Sequence, residues 1–182
     1  MPAGQEALAG AEIADLISSA IRDVRDYPQP GIVFKDITPL LGAGAALAAV
    51  LGALAAGHGR IDKVAGIEAR GFILAAPGAV ALGAGFVPVR KQGKLPGPTL
   101  ARTYQLEYGT ATLEVHADAF GAGDRVLIID DVLATGGTAA ATADLVRQGG
   151  AEVTAIAVLL ELGFLSGRAQ LPGLELRSLL VV

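Results

Sequence analysis

The sequence predicts an α/β fold, a central and mostly parallel sheet flanked by helices. Three observations carry that expectation. Apolar, β-branched runs recur at residues 64–67, 86–89, 126–130, 153–160 and 174–181, and such runs suit strands covered on both faces. Segments of helical spacing or composition alternate with them. Of the 182 residues, 52% are hydrophobic and only 4% aromatic, so Ala, Val, Leu and Ile must build a core of helices packed closely on a sheet. A chain of this length suits one domain, residues 1–182, with a substantial core.

The elements follow in order. Ile13, Leu16, Ile17, Ile21 and Val24 mark one face of an amphipathic helix over roughly 11–25, which Tyr27-Pro28-Gln29-Pro30-Gly31 stops. Residues 32–37 form a short extended segment, and Thr38 before Pro39 is placed to cap the turn that follows. Leu47, Val50, Leu51 and Leu54 give a second helix. The strand at 64–67 ends in Glu68-Ala69-Arg70-Gly71. A helix over 72–83 comes next, with Pro77 as an interruption or late start. After the strand at 86–89, residues 91–101 read as a mobile, Pro/Gly-rich loop. Tyr104, Leu106 and Tyr108 alternate, as do Ala111, Leu113 and Val115, so an antiparallel hairpin turns near Tyr108-Gly109. The strand at 126–130 leads to an alanine-rich helix over 139–146, closed by Gly149-Gly150. Strands at 153–160 and 174–181 complete the chain.

Composition excludes several classes. No basic region followed by an apolar core marks a signal peptide, and the Ala-rich stretch 43–56 is too short and Gly-broken to span a membrane. Absence of Cys is compatible with the cytoplasm and rules out disulfides and thiolate metal sites. His58 and His116 lie far apart, so zinc has little support, and both read as surface residues. A net charge of -4 argues against nucleic-acid binding. Yet residues 70–106 contain no Asp or Glu, while Arg70, Arg90, Lys91, Lys94 and Arg102 fall there. A one-sign segment of this kind reads as a loop that meets an anionic ligand.

The most informative stretch is Val126-Leu127-Ile128-Ile129-Asp130-Asp131-Val132-Leu133-Ala134-Thr135-Gly136-Gly137-Thr138. A buried strand here runs into a small-residue turn and then a helix. The turn therefore sits at a helix N-terminus, where unpaired N–H groups and the macrodipole favour an anion. Gly136 and Gly137 let the backbone approach a phosphate, and Thr135 and Thr138 can donate to it. Asp130 and Asp131 would repel a phosphate and need another partner. A sugar diol, held directly or through a hydrated divalent cation, is the natural one. Phosphate, vicinal diol and metal together indicate a phosphorylated ribose. No Gly-x-x-x-x-Gly-Lys-[Ser/Thr] and no strand-linked Gly-x-Gly-x-x-Gly competes with this motif.

This run resembles the phosphoribosyl-pyrophosphate signature of the type I phosphoribosyltransferases. Ile67-Glu68-Ala69-Arg70-Gly71-Phe72 resembles the pyrophosphate loop of the same family, which implies a cis peptide near Glu68-Ala69. Tyr27-Pro28 with Pro30 to Thr38, Pro88 to Pro96, and Tyr104-Gln105-Leu106-Glu107-Tyr108-Gly109 are similar to segments of the adenine phosphoribosyltransferases. The resemblance covers about residues 12–165. It implies the type I fold, a small N-terminal hood over about residues 1–40, a flexible loop and hairpin over the site, and a homodimer. The implied reaction is purine salvage: adenine and 5-phosphoribosyl-1-pyrophosphate give AMP and pyrophosphate with Mg2+. Magnesium is carried by the pyrophosphate, with no direct protein ligand.

The resemblance also distributes the roles. Ala134, Thr135, Gly136, Gly137 and Thr138 grip the 5′-phosphate, and Asp130 and Asp131 the ribose hydroxyls. Glu68, Ala69 and Arg70 form the pyrophosphate loop; Arg70 and Lys94 neutralise pyrophosphate, with Arg90 and Lys91 assisting, from the same or a neighbouring subunit. Glu107 approaches N7 of adenine, either as an acid with a pKa raised by burial or by electrostatics and position. Phe34 offers a face to the purine, the backbones of Val33 and Lys35 read its amino edge, and Leu162 closes the pocket. Lys35 stands where many relatives have Arg, which backbone readout tolerates. Two rival readings share the signature: a transferase for another purine such as xanthine, and a non-catalytic purine-binding regulator. Such regulators carry a DNA-binding module before the fold, whereas about 25 residues precede the base-binding segment here.

Overall fold

Ile13 and Ile17, one helical turn apart, are the buried positions of α1 (Gly10–Ala20). The computed structural model describes residues 10–105 and 109–182, which fall into two compact units divided between Ala53 and Leu54.

In the first unit α1 is shorter than its apolar spacing suggests. Residues expected to continue it instead form β1 (Arg22–Arg25), antiparallel to β2 (Val33–Asp36). Cross-strand charge explains the change: Arg22 pairs with Asp36, and Lys35 with Asp23 at 2.8 Å. The ribbon between them contains a cis Tyr27–Pro28 bond, and the Asp26 carboxylate accepts the Gly31 N–H at 2.8 Å. The short helix α2 (Thr38–Gly42) is capped differently from expectation. Ile37 is the N-cap residue, and Asp36 Oδ1 accepts the Thr38 N–H at 2.9 Å. Hydrogen bonds from Thr38, then from Arg22, hold the Asp36 carboxyl down at about 2. Helix α3 (Gly44–Ala55) matches the second predicted helix and crosses the boundary between the units.

The second unit holds the sheet. Its parallel strands are β3 (Lys63–Ile67), β4 (Gly85–Lys91), β7 (Arg125–Leu133), β8 (Glu152–Glu161) and β9 (Leu176–Val181). An antiparallel hairpin, β5 (Thr99–Gln105) and β6 (Thr110–His116), extends the β4 edge. The order across the sheet is β5-β6-β4-β3-β7-β8-β9. Val126 to Ile129 and Ile156 to Leu160 are fully buried, which is why β7 and β8 read as continuous apolar runs.

Two helices connect these strands. Helix α4 (Gly71–Leu82) leads from β3 to β4 and packs on β3, β4 and β7. Pro77 lies inside it without breaking it; a missing N–H costs one bond in a helix otherwise held by Leu74, Ala75 and Ala79 in the core. Helix α5 (Gly137–Gln148) leads from β7 to β8 and packs on β5 to β8. The two crossovers run in opposite directions from the sheet centre, so right-handed connections place them on opposite faces. The parallel neighbours β3 and β7 are the point where the two crossovers diverge, one toward β4 and the other toward β8. At such a switch point the loops leaving the strands' carboxyl ends diverge and open a crevice.

Two further expectations change. His58 is buried, not on the surface; its Nε2 lies 2.9 Å from the Leu54 carbonyl oxygen, and burial lowers its pKa. The hairpin begins at Thr99, inside the stretch read as loop, because Thr99 to Gln105 find partners on β6 from His116 to Thr110. Among the described residues no helix is long and apolar enough to cross a membrane.

Candidate active site

The crevice at the switch point gathers residues from two loops of the second unit. From β7 come Asp130 and Asp131, still within the strand, followed by the turn Ala134 to Gly136. Asp131 is buried and Asp130 half-buried. Burial and the adjacent Asp131 charge push the Asp130 carboxyl well above the usual carboxylate range. Its Oδ1 accepts the Asp131 N–H at 2.8 Å. From β3 comes Arg70, the N-cap residue of α4, whose Nη2 stands 2.6 Å from Asp131 Oδ2. The two loops are thus joined by an ion pair across the crevice. The Glu68–Ala69 peptide is cis, where the family resemblance places one.

The turn itself is a helix N-terminus, as the motif implied, but α5 starts two residues earlier than its alanine run. Gly136 is the N-cap residue, at φ +86°. The first helical hydrogen bond runs from the Ala140 N–H to the Gly136 carbonyl at 2.9 Å, which leaves the N–H groups of Gly137, Thr138 and Ala139 without intrahelical acceptors. A small cavity of about 70 Å³ opens here, lined by Asp130, Ala134, Thr135, Gly136 and Thr138 among others. A larger one, about 240 Å³, lies at Lys63, Phe86 and His116, by the amino ends of β3 and β4. That is the opposite end of the sheet from the crevice.

Two supports of this turn have no signal in the sequence. The segment after β8 packs backbone to backbone against it. A Cβ on Gly167 would lie 2.1 Å from the Ala134 carbonyl oxygen, and one on Gly136 would lie 2.3 Å from the Gly167 carbonyl oxygen. Arg168 anchors that segment through two hydrogen bonds to the buried Glu161 carboxylate. From the other side, Tyr104 of β5 lays its ring on Gly137 and its hydroxyl 3.0 Å from Thr138 Oγ1. Gly-Arg after a strand and one aromatic in an alternating run are too common in sequences to single out.

The basic segment has counter-charges after all, drawn from outside it. Arg70 pairs with Asp131, Arg90 with Glu68 at 3.0 Å, and Arg102 with Asp144 at 2.8 Å. Glu68 also accepts the Lys91 N–H, and Arg90 donates to the Lys94 carbonyl. Burial raises the Glu68 pKa, but the Lys91 N–H and Arg90 more than offset it and leave it below the usual value. Glu68 and Arg90 thereby shape the loop that carries Lys91 and Lys94, whose side chains are exposed.

Of the other expected site residues, Leu162 follows β8 and donates its N–H to the Leu133 carbonyl at 2.9 Å, beside the turn. Val33, Phe34 and Lys35 lie on β2 of the first unit, where the Phe34 ring meets Tyr27 edge-on with centroids 5.3 Å apart. Glu107 lies outside the described residues.

The chain's residues 37–169 match the phosphoribosyl transferase domain model. It is 61% identical over 174 residues to adenine phosphoribosyltransferase of Acidothermus cellulolyticus, covering 94% of this chain and 98% of that one. The chain belongs to the adenine phosphoribosyltransferase family. The crystal structure of a Rhodothermus marinus member superposes with a TM-score of 0.90 at 53% identity, over 94% of this chain and 99% of that one. A Saccharomyces cerevisiae member, crystallised with an imino-altritol bisphosphate and adenine, has a TM-score of 0.85 at 36% identity, over 93% and 99% of the two chains. The sheet and switch point described above are those of the type I phosphoribosyltransferase fold.

Proposed function

We propose that this protein salvages purine by transferring the 5-phosphoribosyl group from 5-phosphoribosyl-1-pyrophosphate to adenine, giving AMP and pyrophosphate. One observation carries the reading: an open helix N-terminus at Gly137 to Ala139 stands beside Asp130 and Asp131, with Arg70 facing them. Family membership narrows the base to adenine, which the yeast relative was crystallised with.

In this reading the bond from the anomeric carbon to pyrophosphate breaks as the bond to adenine N9 forms, and adenine gives up its imidazole proton to water or to the departing pyrophosphate. Positive charge develops on the sugar and negative charge on the leaving group. The backbone of Ala134 to Thr138 and the hydroxyls of Thr135 and Thr138 hold the 5′-phosphate. Asp130 and Asp131 accept from the ribose hydroxyls. Hydrogen bonds donated by those hydroxyls would offset part of the desolvation that, with the Asp131 charge, raises the Asp130 pKa. Glu68, Ala69 and Arg70 present the loop that receives pyrophosphate, with Lys94 and Lys91 adding charge and Arg90 holding their loop in shape. The same two carboxylates are a donor set suited to a hydrated divalent cation carried by pyrophosphate. They would meet such a cation through its water shell, and magnesium carried in this way would supply charge neutralisation for the leaving group. Phe34, the backbones of Val33 and Lys35, and Leu162 are assigned to the base, and Glu107 to its N7. We further assign the chain to the cytoplasm, as a homodimer with residues 1–40 serving as a hood in a single functional domain.

The test is AMP formation from adenine, 5-phosphoribosyl-1-pyrophosphate and magnesium, beside hypoxanthine, guanine and xanthine. Turnover of adenine alone is expected, because a pocket that pairs with a 6-amino group leaves a 6-oxo group unpaired. Turnover of another base would overturn the base assignment and keep the mechanism. Absence of any turnover, with ligand binding intact, would favour a regulator.

A further inference from the structure

We infer that Tyr104 is a positioning residue for the 5′-phosphate, acting by directing the hydroxyl proton of Thr138 toward it; this rests on the phosphoribosyl reading of the turn. Thr138 Oγ1 carries one proton and two lone pairs. Tyr104 Oη lies 3.0 Å away. The neighbouring Thr142 hydroxyl is engaged elsewhere, donating to the Thr138 carbonyl at 2.9 Å. When Tyr104 donates to Oγ1, the only proton of Thr138 is left for an acceptor in the cavity that Thr138 lines. A phosphate dianion offers only acceptors. The reverse direction, Thr138 donating to Tyr104, would turn a lone pair toward that dianion. Phosphate therefore selects the first arrangement, and Tyr104 makes it available before the ligand arrives.

The geometry holds Tyr104 for this task from two sides. Its ring rests on the backbone of Gly137, where an added Cβ would stand 3.1 Å from Cδ2. Two residues earlier on the same face of β5, Arg102 is tied to Asp144 of α5 at 2.8 Å. Strand β5 is thus pinned to α5 at both a charged and a hydroxyl contact, and the second contact falls on the helix's first turn.

Tyr104→Phe keeps the ring and removes the hydroxyl. Its expected effect is a rise of about fivefold in the dissociation constant of ribose 5-phosphate by calorimetry, with a matching rise in KM for 5-phosphoribosyl-1-pyrophosphate. KM for adenine and the melting temperature stay at wild-type values. Thr138→Val weakens ribose 5-phosphate by itself, and adding Tyr104→Phe to it has no further effect, since both act through one proton. Thr138→Ser keeps the sensitivity to Tyr104→Phe. Unchanged ribose 5-phosphate affinity in Tyr104→Phe, additive losses in the double variant, or equal weakening of adenine alongside a lower melting temperature would each overturn the inference. Wild-type protein that fails to bind ribose 5-phosphate would overturn it together with the phosphoribosyl reading. Wild-type protein that binds ribose 5-phosphate but forms no AMP would overturn the activity alone, and the variants' affinities would still decide the role of Tyr104.

Discussion

Replacing Gly167 by Ala adds one methyl group to a site walled by backbone. The new Cβ would stand 2.1 Å from the Ala134 carbonyl oxygen and 3.0 Å from the Gly136 nitrogen, whereas real Cβ contacts below 3.0 Å essentially do not occur. One of the two segments must retreat by about 0.9 Å, taking 3.0 Å as the floor. Neither wall can rotate away as a side chain would. Arg168, bound to buried Glu161, resists movement of the Gly167 segment, so the phosphate turn takes up much of the shift. Overpacking of this kind costs about 2 kcal/mol, which lowers the melting temperature of a domain this size by about 4–8 °C. A displacement near 1 Å in a ligand-positioning turn costs on the order of 100-fold in catalysis. The assay is the initial rate of AMP formation against 5-phosphoribosyl-1-pyrophosphate, with calorimetric melting in parallel. Gly163→Ala, in the same segment, is the control. Its nearest neighbour is a Val181 methyl at 3.2 Å, which can move, so both readouts stay near wild type. Gly167→Ala protein with wild-type melting and wild-type kcat/KM would refute the claim that this backbone contact sets the turn.

Three other outcomes are expected. Asp130→Asn removes a carboxyl whose pKa is raised by burial and by Asp131. A raised carboxyl pKa destabilises the fold as pH climbs above the unfolded value of about 3.9. The variant should therefore melt at or above wild type at pH 7, while Asp130→Asn with Asp131→Asn keeps the fold and loses most turnover; a double variant of near wild-type activity would contradict the diol assignment. Glu161 has a lowered pKa, first through its hydrogen bond from Arg168, so its contribution is present above about pH 4.5 and is lost as pH falls through the folded value. Arg168→Met should cost about 1.5–3 kcal/mol in urea unfolding at pH 7 and distinctly less at pH 3, and an equal cost at both would sink this account. Ile73 and Val80, on α4, stay exposed in the single chain, and a homodimer is expected by sedimentation at micromolar concentration, which a monomer there would disprove.

The parallel sheet and the turn at Ala134 to Thr138 were legible because each expresses itself locally. Buried strands must be apolar along their length, and an anion-holding turn must be small and hydroxylated. Other features depend on partners far along the chain. Arg22 to Arg25 carry helical spacing, yet they pair with Val33 to Asp36 of β2, with Asp36 and Lys35 as charged cross-strand partners that local spacing does not announce. The basic segment had no acid of its own, yet Glu68, Asp131 and Asp144 reach it through the fold. His58 was misread because isolated histidines carry no sequence mark of burial. The bracing by Gly167 and Tyr104 was invisible for the same reason: close approach between segments some 30 residues apart leaves no periodicity behind.

The pairing of β5 with β6 runs from Thr99 opposite His116 to Gln105 opposite Thr110. Arg102 and Tyr104 share a face because strand side chains alternate. Losing a single residue between Leu100 and Tyr104 would turn at least one of them away from α5. Within this lineage, then, the root of the hairpin has to stay in register for β5 to brace α5 at all. Insertions and deletions rejected at 100–104 in a library of variants would be the imprint of that constraint.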